Sequence, residues 1–248
     1  LLRATGLCGH LKGEESLTGN RNLFGCFSDL EIIGYAGIIL YYLMLLIKND
    51  PKILLPSVTV ILMAYAFLYV FTFPKYNAGN IMMSFFCIVY GPVMLSFIYL
   101  TRQAPFGQYL VWMIFVCSWV CDTCAYCVGM LFGKHPLAPV LSPKKSVEGA
   151  IGGILGSAIV GFLISYFLFE KNIDVSGMRW VTVLIASLGA ILSQVGDLTA
   201  SAIKRNFNIK DYGRIIPGHG GIMDRFDSVI FTAPMIYFLT LLLVHGRL

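Results

Sequence analysis

Long apolar stretches separated by short polar segments set the layout of this chain. They run over about residues 30–47, 53–73, 81–100, 108–132, 149–169, 180–203 and 228–245. Each approaches the roughly 20 mostly apolar residues that a helix needs to cross a bilayer. Residues 53–73 and 149–169 contain no charged side chain at all. Lipid offers backbone groups no partners, so such segments span only as helices or as strands of a closed barrel. Barrel strands alternate at period two, and these runs do not. The pattern predicts an all-α, polytopic helical membrane protein with about seven transmembrane helices.

Composition agrees. The 248 residues are 57% hydrophobic and 12% charged, with mean hydropathy +0.77. Soluble domains carry about a quarter charged residues, so most of this surface is expected to meet the lipid bilayer. The opening LLRATG has no initiator Met and no signal-like segment, which predicts that upstream helices are missing. Seven cysteines, an odd number and mostly within spans, argue against a disulfide framework. Residues 1–107 read as a tail plus three membrane helices. Residues 108–248 read as the catalytic membrane domain, with loops 133–148 and 204–227.

Basic residues give the orientation. The loops after the fourth and sixth spans share one side, and with the N-terminal tail and Lys75 that side collects twelve of the 18 Lys and Arg. Cytoplasmic loops carry the excess of Lys and Arg, so this face is expected in the cytoplasm. The expected location is the cell membrane, most naturally a bacterial inner membrane. Nucleic acid is not an expected partner.

Ionisable residues inside spans cost roughly 2.5–3.5 kcal/mol each on insertion scales and default to functional hypotheses. Asp122 and Asp197 are the two. At 100° per residue, Ser193, Asp197, Ser201 and Lys204 fall within about 80° of one another. They form a polar stripe that leads into the second cytoplasmic loop. The bland alternative pairs Asp197 with Lys204 or a serine, simply to steady the packing.

That loop reads SAIKRNFNIKDYGRIIPGHGGIMDRFD over residues 201–227. Pro217, Gly218, Gly220 and Gly221 surround His219, keep the chain out of helix and let backbone N–H groups approach a ligand. Asp224 and Asp227 lie at i, i+3, on one face if the last span has begun. Carboxylates beside Lys and Arg suit Mg²⁺ with phosphate, since this hard cation takes one or two carboxylates plus phosphate oxygens. Arg and Lys would neutralise the remaining phosphate charge.

In the other loop, Ser146 can cap the following helix with Glu148 in its first turn. Lys144 and Lys145 stand where a helix dipole disfavours cations. An anion held between them and that helix end would resolve the conflict. The segment CSWVCDTCAYC, residues 117–127, mimics a cluster motif. On a helix, however, its thiols form one broad stripe and pack as small hydrophobes. Ser118, Asp122, Ala125 and Gly129 form a separate small and polar strip. Gly149, Gly153, Ser157 and Gly161 recur every four residues, a ridge permitting close helix approach either within the chain or between copies.

The run Ser201-x-x-Lys204-Arg205, Lys210-Asp211, Pro217-x-His219-Gly220-Gly221-x-x-Asp224-Arg225-x-Asp227 resembles the signature of the phosphatidate cytidylyltransferases, also called CDP-diacylglycerol synthases. The stretch Asp122-x-x-Ala125-Tyr126-x-x-Gly129, Gly133-Lys134, Ser142-Pro143-Lys144-Lys145-Ser146-x-Glu148-Gly149 is similar to the same family. The resemblance covers about residues 108–245. It implies transfer of CMP from CTP to phosphatidic acid, giving CDP-diacylglycerol and pyrophosphate. It also implies Mg²⁺, a second, monovalent cation such as K⁺, and a homodimer.

Carried over by position, Asp197 and Asp224 become the principal metal carboxylates, with Asp227 or Asp122 completing or supporting the shell. Ser201 and Lys204 contact phosphate or metal. Lys144, Lys145 and Arg225 hold substrate phosphates, and His219 is a further donor. Lys134, Ser142, Arg205, Lys210, Gly220 and Gly221 are expected to line the substrate site. The rival readings are a lipid or polyprenol kinase, an ether-lipid cytidylyltransferase and, less favoured, a transporter. A CDP-alcohol phosphotransferase is disfavoured because its signature is absent.

Overall fold

The computed structural model describes residues 28–48, 50–169, 178–213 and 221–243. Among these, six helices are long and apolar enough to cross a membrane: Asp29–Lys48, Pro51–Thr72, Ala78–Gln103, Gly107–Phe132, Val147–Phe167 and Arg179–Asn206. The shorter apolar helix Asp227–Leu242 corresponds to the seventh predicted span. The chain is thus an all-α, polytopic membrane protein. It divides into two compact units, Leu1–Val93 and Met94–Leu248.

In the first unit, α1 (Asp29–Lys48), α2 (Leu54–Thr72) and α3 (Ala78–Ile88) pack on one another. A capping box opens α1: Ser28 Oγ accepts from the Glu31 amide at 3.3 Å, and Glu31 Oε2 accepts from the Ser28 amide at 3.2 Å. Tyr65, fully buried on α2, donates its hydroxyl to the Leu30 carbonyl at 3.0 Å. Gly34 leaves the room that this phenol needs, since a Cβ there would lie 2.9 Å from the Tyr65 oxygen. A π-helical turn, Val89–Val93, follows α3 and accommodates Pro92, whose carbonyl accepts from Tyr42 at 2.8 Å.

The second unit holds α4 (Met94–Gln103), α5 (Gly107–Phe115), α6 (Cys121–Phe132), α7 (Val147–Ile164), α8 (Met178–Asn206) and α9 (Asp227–Leu243). The sequence alone groups α4 with the N-terminal helices. It packs on α9 instead, with the Phe97 ring 5.3 Å from Tyr237 and 5.5 Å from Phe238. Between α6 and α7, the predicted loop contains a two-stranded antiparallel hairpin, β1 (Pro136–Ala138) and β2 (Ser142–Ser146). Local polar patterning over so few residues gave no sign of it.

The glycine ridge of α7 packs within the chain. Gly149, Gly153, Ser157 and Gly161 are all buried. A Cβ at Gly149 would sit 2.6 Å from the Ala125 carbonyl of α6, and one at Gly153 would sit 2.9 Å from the Cys121 carbonyl. At Gly161 the obstacle is the Ala186 methyl of α8, at 2.7 Å. Backbones that close leave no space for a larger side chain, which is why the ridge is built of small residues.

Two thiols of the cysteine stripe pack inside the unit, while Cys124 is half-buried and Cys127 is exposed. Cys117 and Cys121 are fully buried, their Sγ atoms 3.7 Å from the Ala186 and Ala190 carbonyls of α8. A π-helical turn, Val116–Val120, joins α5 to α6; it contains Cys117, and Cys121 follows it directly. The small and polar strip divides: Ala125 and Gly129 face α7, whereas Ser118 and Asp122 hydrogen-bond to residues of α9.

Candidate functional site

α8 carries the centre of the polar cluster and runs three residues beyond the predicted end of its span, to Asn206. Lys204 and Arg205 therefore stand in its last turn, where the negative end of the helix dipole favours cations. The helix then ends in a Schellman arrangement. The Ile209 amide donates to the Lys204 carbonyl at 2.9 Å and the Asn208 amide to the Arg205 carbonyl at 3.1 Å. Asn208 takes the left-handed conformation this requires, with φ 53°. The reversal returns the chain beneath Lys204 and places Tyr212 against it.

Asp224 organises this end of the loop. Its Oδ2 accepts from the Tyr212 amide at 2.9 Å and the Gly221 amide at 3.0 Å, while its Oδ1 accepts from Lys204 Nζ at 3.1 Å. Gly221 is buried, and a Cβ on it would meet the Gly213 amide nitrogen at 2.8 Å. Asp224 lies in a 3₁₀ turn, Met223–Arg225, immediately before α9. Asp227 opens α9 and lies 3.9 Å from Lys204 through its Oδ2. The i, i+3 pair thus converges on one ammonium although only its second member is α-helical.

Asp197, two turns before Lys204 on the same helix, takes another partner. Its Oδ2 forms an ion pair with Lys145 Nζ of β2, both side chains about a quarter exposed. The bland alternative, a pairing of Asp197 with Lys204, does not form. Seven residues separate the two by about 10 Å along the helix axis, so cations and carboxylates from other elements reach each first. Lys145 thus has a carboxylate of the protein beside it. Lys144 is exposed.

Asp122 reaches the cluster from α6, where its Oδ2 accepts from Ser228 Oγ at 3.3 Å. Ser228 lies next to Asp227 and is 1% exposed. One turn further along α9, Thr232 and Ser118 share a hydrogen bond of 2.8 Å. These hydroxyls fasten α9 to the α5–α6 span. The charge of Asp197 acts on both Asp122 and Asp227, so carboxylates from α6, α8 and α9 share one electrostatic neighbourhood.

The hairpin is held from below. Ser146 caps α7, its Oγ accepting from the Gly149 amide at 3.1 Å. Glu148 accepts from the backbone amides of Lys134 and His135 at 3.1 and 3.3 Å, and contacts His135 Nδ1 at 2.6 Å. Glu148 and Ser146 therefore clamp both ends of the segment that delivers Lys145.

Other expected residues are more peripheral. Ser201 is half-buried on α8, and Ser142 begins β2. Lys134, Arg205, Lys210 and Arg225 have exposed side chains. His219, Gly220, Pro217 and Gly218 lie outside the described residues. Sequence reasoning missed Tyr212 and Ser228, although both sit inside or beside the motif. Their roles depend on contacts across helices, which spacing does not encode.

Among the described residues, no three His, Cys, Asp or Glu side chains converge closely enough to hold a metal by themselves. Instead, hard oxygen donors stand singly or in pairs: Asp197 beside Lys145, Asp224 and Asp227 beside Lys204, and Asp122 beside the Ser228 hydroxyl. A site of this chemistry suits a cation that takes one or two carboxylates and completes its shell with phosphate oxygens and water, as Mg²⁺ does.

Comparison with known proteins identifies the family. Residues 23–243 match the sequence model of the cytidylyltransferase family. A phosphatidate cytidylyltransferase from Staphylococcus haemolyticus (strain JCSC1435) is 39% identical over 181 residues, covering 73% of this chain and 65% of the relative. Those from Staphylococcus saprophyticus and Staphylococcus aureus (strain COL) are each 40% identical, over 161 and 164 residues, covering 64% of this chain and 60% of the relative. The chain therefore spans 60–65% of the length of these relatives.

Proposed function

The chain belongs to the cytidylyltransferase family, and from that premise we propose that it transfers CMP from CTP to phosphatidic acid. The products are CDP-diacylglycerol and pyrophosphate, and the place in metabolism is phospholipid biosynthesis. The observation that carries the proposal is the meeting of Asp122, Asp197, Asp224 and Asp227 with Lys145 and Lys204 at one end of the second unit.

The chemistry asks for this kind of site. A phosphate oxygen of phosphatidic acid attacks the α-phosphorus of CTP, and the bond from that phosphorus to the α–β bridging oxygen breaks, so that this oxygen leaves with pyrophosphate. The nucleophile is already an anion, so no general base is required. The difficulty is bringing two polyanions together, and the remedy is positioning plus electrostatic stabilisation. Lys204, held between two carboxylates, and Lys145, on the clamped hairpin, supply positive charge at fixed points. Lys144, Arg205, Lys210 and Arg225 add charge at the exposed rim.

In this reading Asp197 and Asp224 hold Mg²⁺, with Asp227 and Asp122 in support. Bound there, the ion would polarise phosphate oxygens and stabilise departing pyrophosphate. The resemblance adds a second, monovalent cation such as K⁺ and a homodimer. The excess of Lys and Arg on this face supports an active site that faces the cytoplasm, and the bacterial relatives support a bacterial cell membrane.

The decisive experiment incubates purified protein with CTP labelled at the α-phosphate and phosphatidic acid, with and without Mg²⁺. Label should move into the lipid phase only with Mg²⁺, while pyrophosphate is released. Label retained in water-soluble nucleotide under every condition refutes the proposal, and transfer of the γ-phosphate would identify a kinase.

A further inference from the structure

Tyr212 stands outside the carboxylates and lysines that carry the proposed function, yet it touches two of them. It follows the left-handed reversal at Asn208 and is 9% exposed. Its amide donates to Asp224 Oδ2 at 2.9 Å. Its ring lies under the Lys204 ammonium, with Nζ 5.3 Å from the ring centroid. Its hydroxyl donates to the Ala200 carbonyl at 3.1 Å. Ala200 is one helical turn before Lys204, so the phenol is moored to the very turn that bears the lysine.

These contacts complete a three-sided seat. The Lys204 ammonium has Asp224 at 3.1 Å, Asp227 at 3.9 Å and the Tyr212 face on a third side. A lysine side chain carries about 2 kcal/mol of rotamer entropy, and two carboxylates alone let it swing between them. An aromatic face attracts the cation and excludes water from that side. Burial holds the ring in place, since Tyr212 is 9% exposed, and the bond to Ala200 adds a little to that hold.

We propose that Tyr212 is a positioning residue, whose ring acts as a shelf holding the Lys204 ammonium where a substrate phosphate meets it. The role rests on the proposed function for its purpose, while the seat itself is tested without turnover.

Tyr212→Phe keeps the ring and loses the mooring; Tyr212→Leu and Tyr212→Met fill similar space without a π face. Two measurements are made on each folded variant in detergent: kcat/KM for CTP, and the rate of reductive methylation at Lys204, read by peptide mass spectrometry. A desolvated cation–π contact corresponds to roughly thirtyfold. The Leu and Met variants should lose about that factor in kcat/KM and label Lys204 several-fold faster. The Phe variant should stay within about threefold on both, since Ala200 retains its helical partner.

Wild-type labelling in the variants without a ring, or a Phe variant as impaired as they are, overturns the proposal. If Leu fails to fold, the contrast between Met and Phe decides. Should the wild-type protein transfer no CMP, the proposed function falls, and the labelling still answers for Tyr212.

Discussion

The two units of this molecule use the same material, apolar helices, with opposite treatment of polar groups. In the first unit, α2 buries only Ile61 and Tyr65, and its mean hydropathy is among the highest of the spans. Its polar side chains are answered locally or by a backbone carbonyl: Thr59 and Thr72 bond their own helix, and Tyr65 bonds Leu30. In the second unit, α8 carries an Asp and a Lys whose partners arrive from a hairpin and from the start of another helix. A charge in a span is costly unless paired, so those partners must be delivered by the fold. The difference teaches where chemistry sits. Spans whose inner polar groups are hydroxyls meeting backbone carbonyls make a scaffold, and spans whose inner charges need partners from other elements make a site.

That contrast is broken most severely at Asp224. In Asp224→Asn the two backbone amides can still find an oxygen, but Lys204 loses its nearest negative charge and faces an amide instead. Activity in the CTP assay is expected to fall about 100- to 1,000-fold, in protein that still elutes as a folded species. Turnover at the wild-type rate across Mg²⁺ concentrations would remove Asp224 from the site.

The next largest effect falls on the helix seam. Gly153→Val pushes a branched side chain against the Cys121 carbonyl and Sγ, each 2.9 Å from the position of a Cβ. Overpacking of this kind costs about 1–3 kcal/mol, visible as an earlier thermal transition in detergent. An unchanged transition would mean that α6 and α7 separate more easily than their packing indicates.

Ser228→Ala sharpens the comparison at a smaller scale. It removes the hydroxyl that donates to Asp122 and leaves the Ser118–Thr232 bond in place. A loss of about 1 kcal/mol, or roughly fivefold in kcat/KM, is expected. A Ser228→Thr variant should recover part of it, because it restores a donor at the same position.

The smallest effect belongs to the first unit. Leu55 on α2 is 72% exposed and has an outward, lipid-type environment. Leu55→Ala should change stability by no more than about 0.5 kcal/mol and leave turnover unaltered. A defect comparable to that of Ser228→Ala would show that the scaffold is not passive.

Much of this was legible in advance. Apolar run lengths located the helices, because a span must satisfy its own backbone whatever its neighbours are. The motif residues that come together, Asp197, Lys204, Asp224 and Asp227, were identifiable because charge in or beside a span is rare and expensive. Ser146 as a cap was readable because capping is local, and the thiol stripe could be set aside because one helix cannot wrap a cluster. The pairing scheme was not legible. Asp197 takes Lys145 across 52 residues, and Asp122 takes Ser228 across 106. The hairpin, the place of α4 and the Tyr212 shelf escaped for the same reason.

By itself, then, the sequence determined that the chain is helical and membrane-embedded, where its spans lie and which side chains are too costly to be there without a purpose. Those properties follow from each segment's own exchange between water and lipid. Only the tertiary structure decided which carboxylate holds which lysine, and that the glycine ridge closes within the chain. Ion pairing and close backbone approach act over a few ångströms between segments distant along the chain, so only the folded arrangement can specify them.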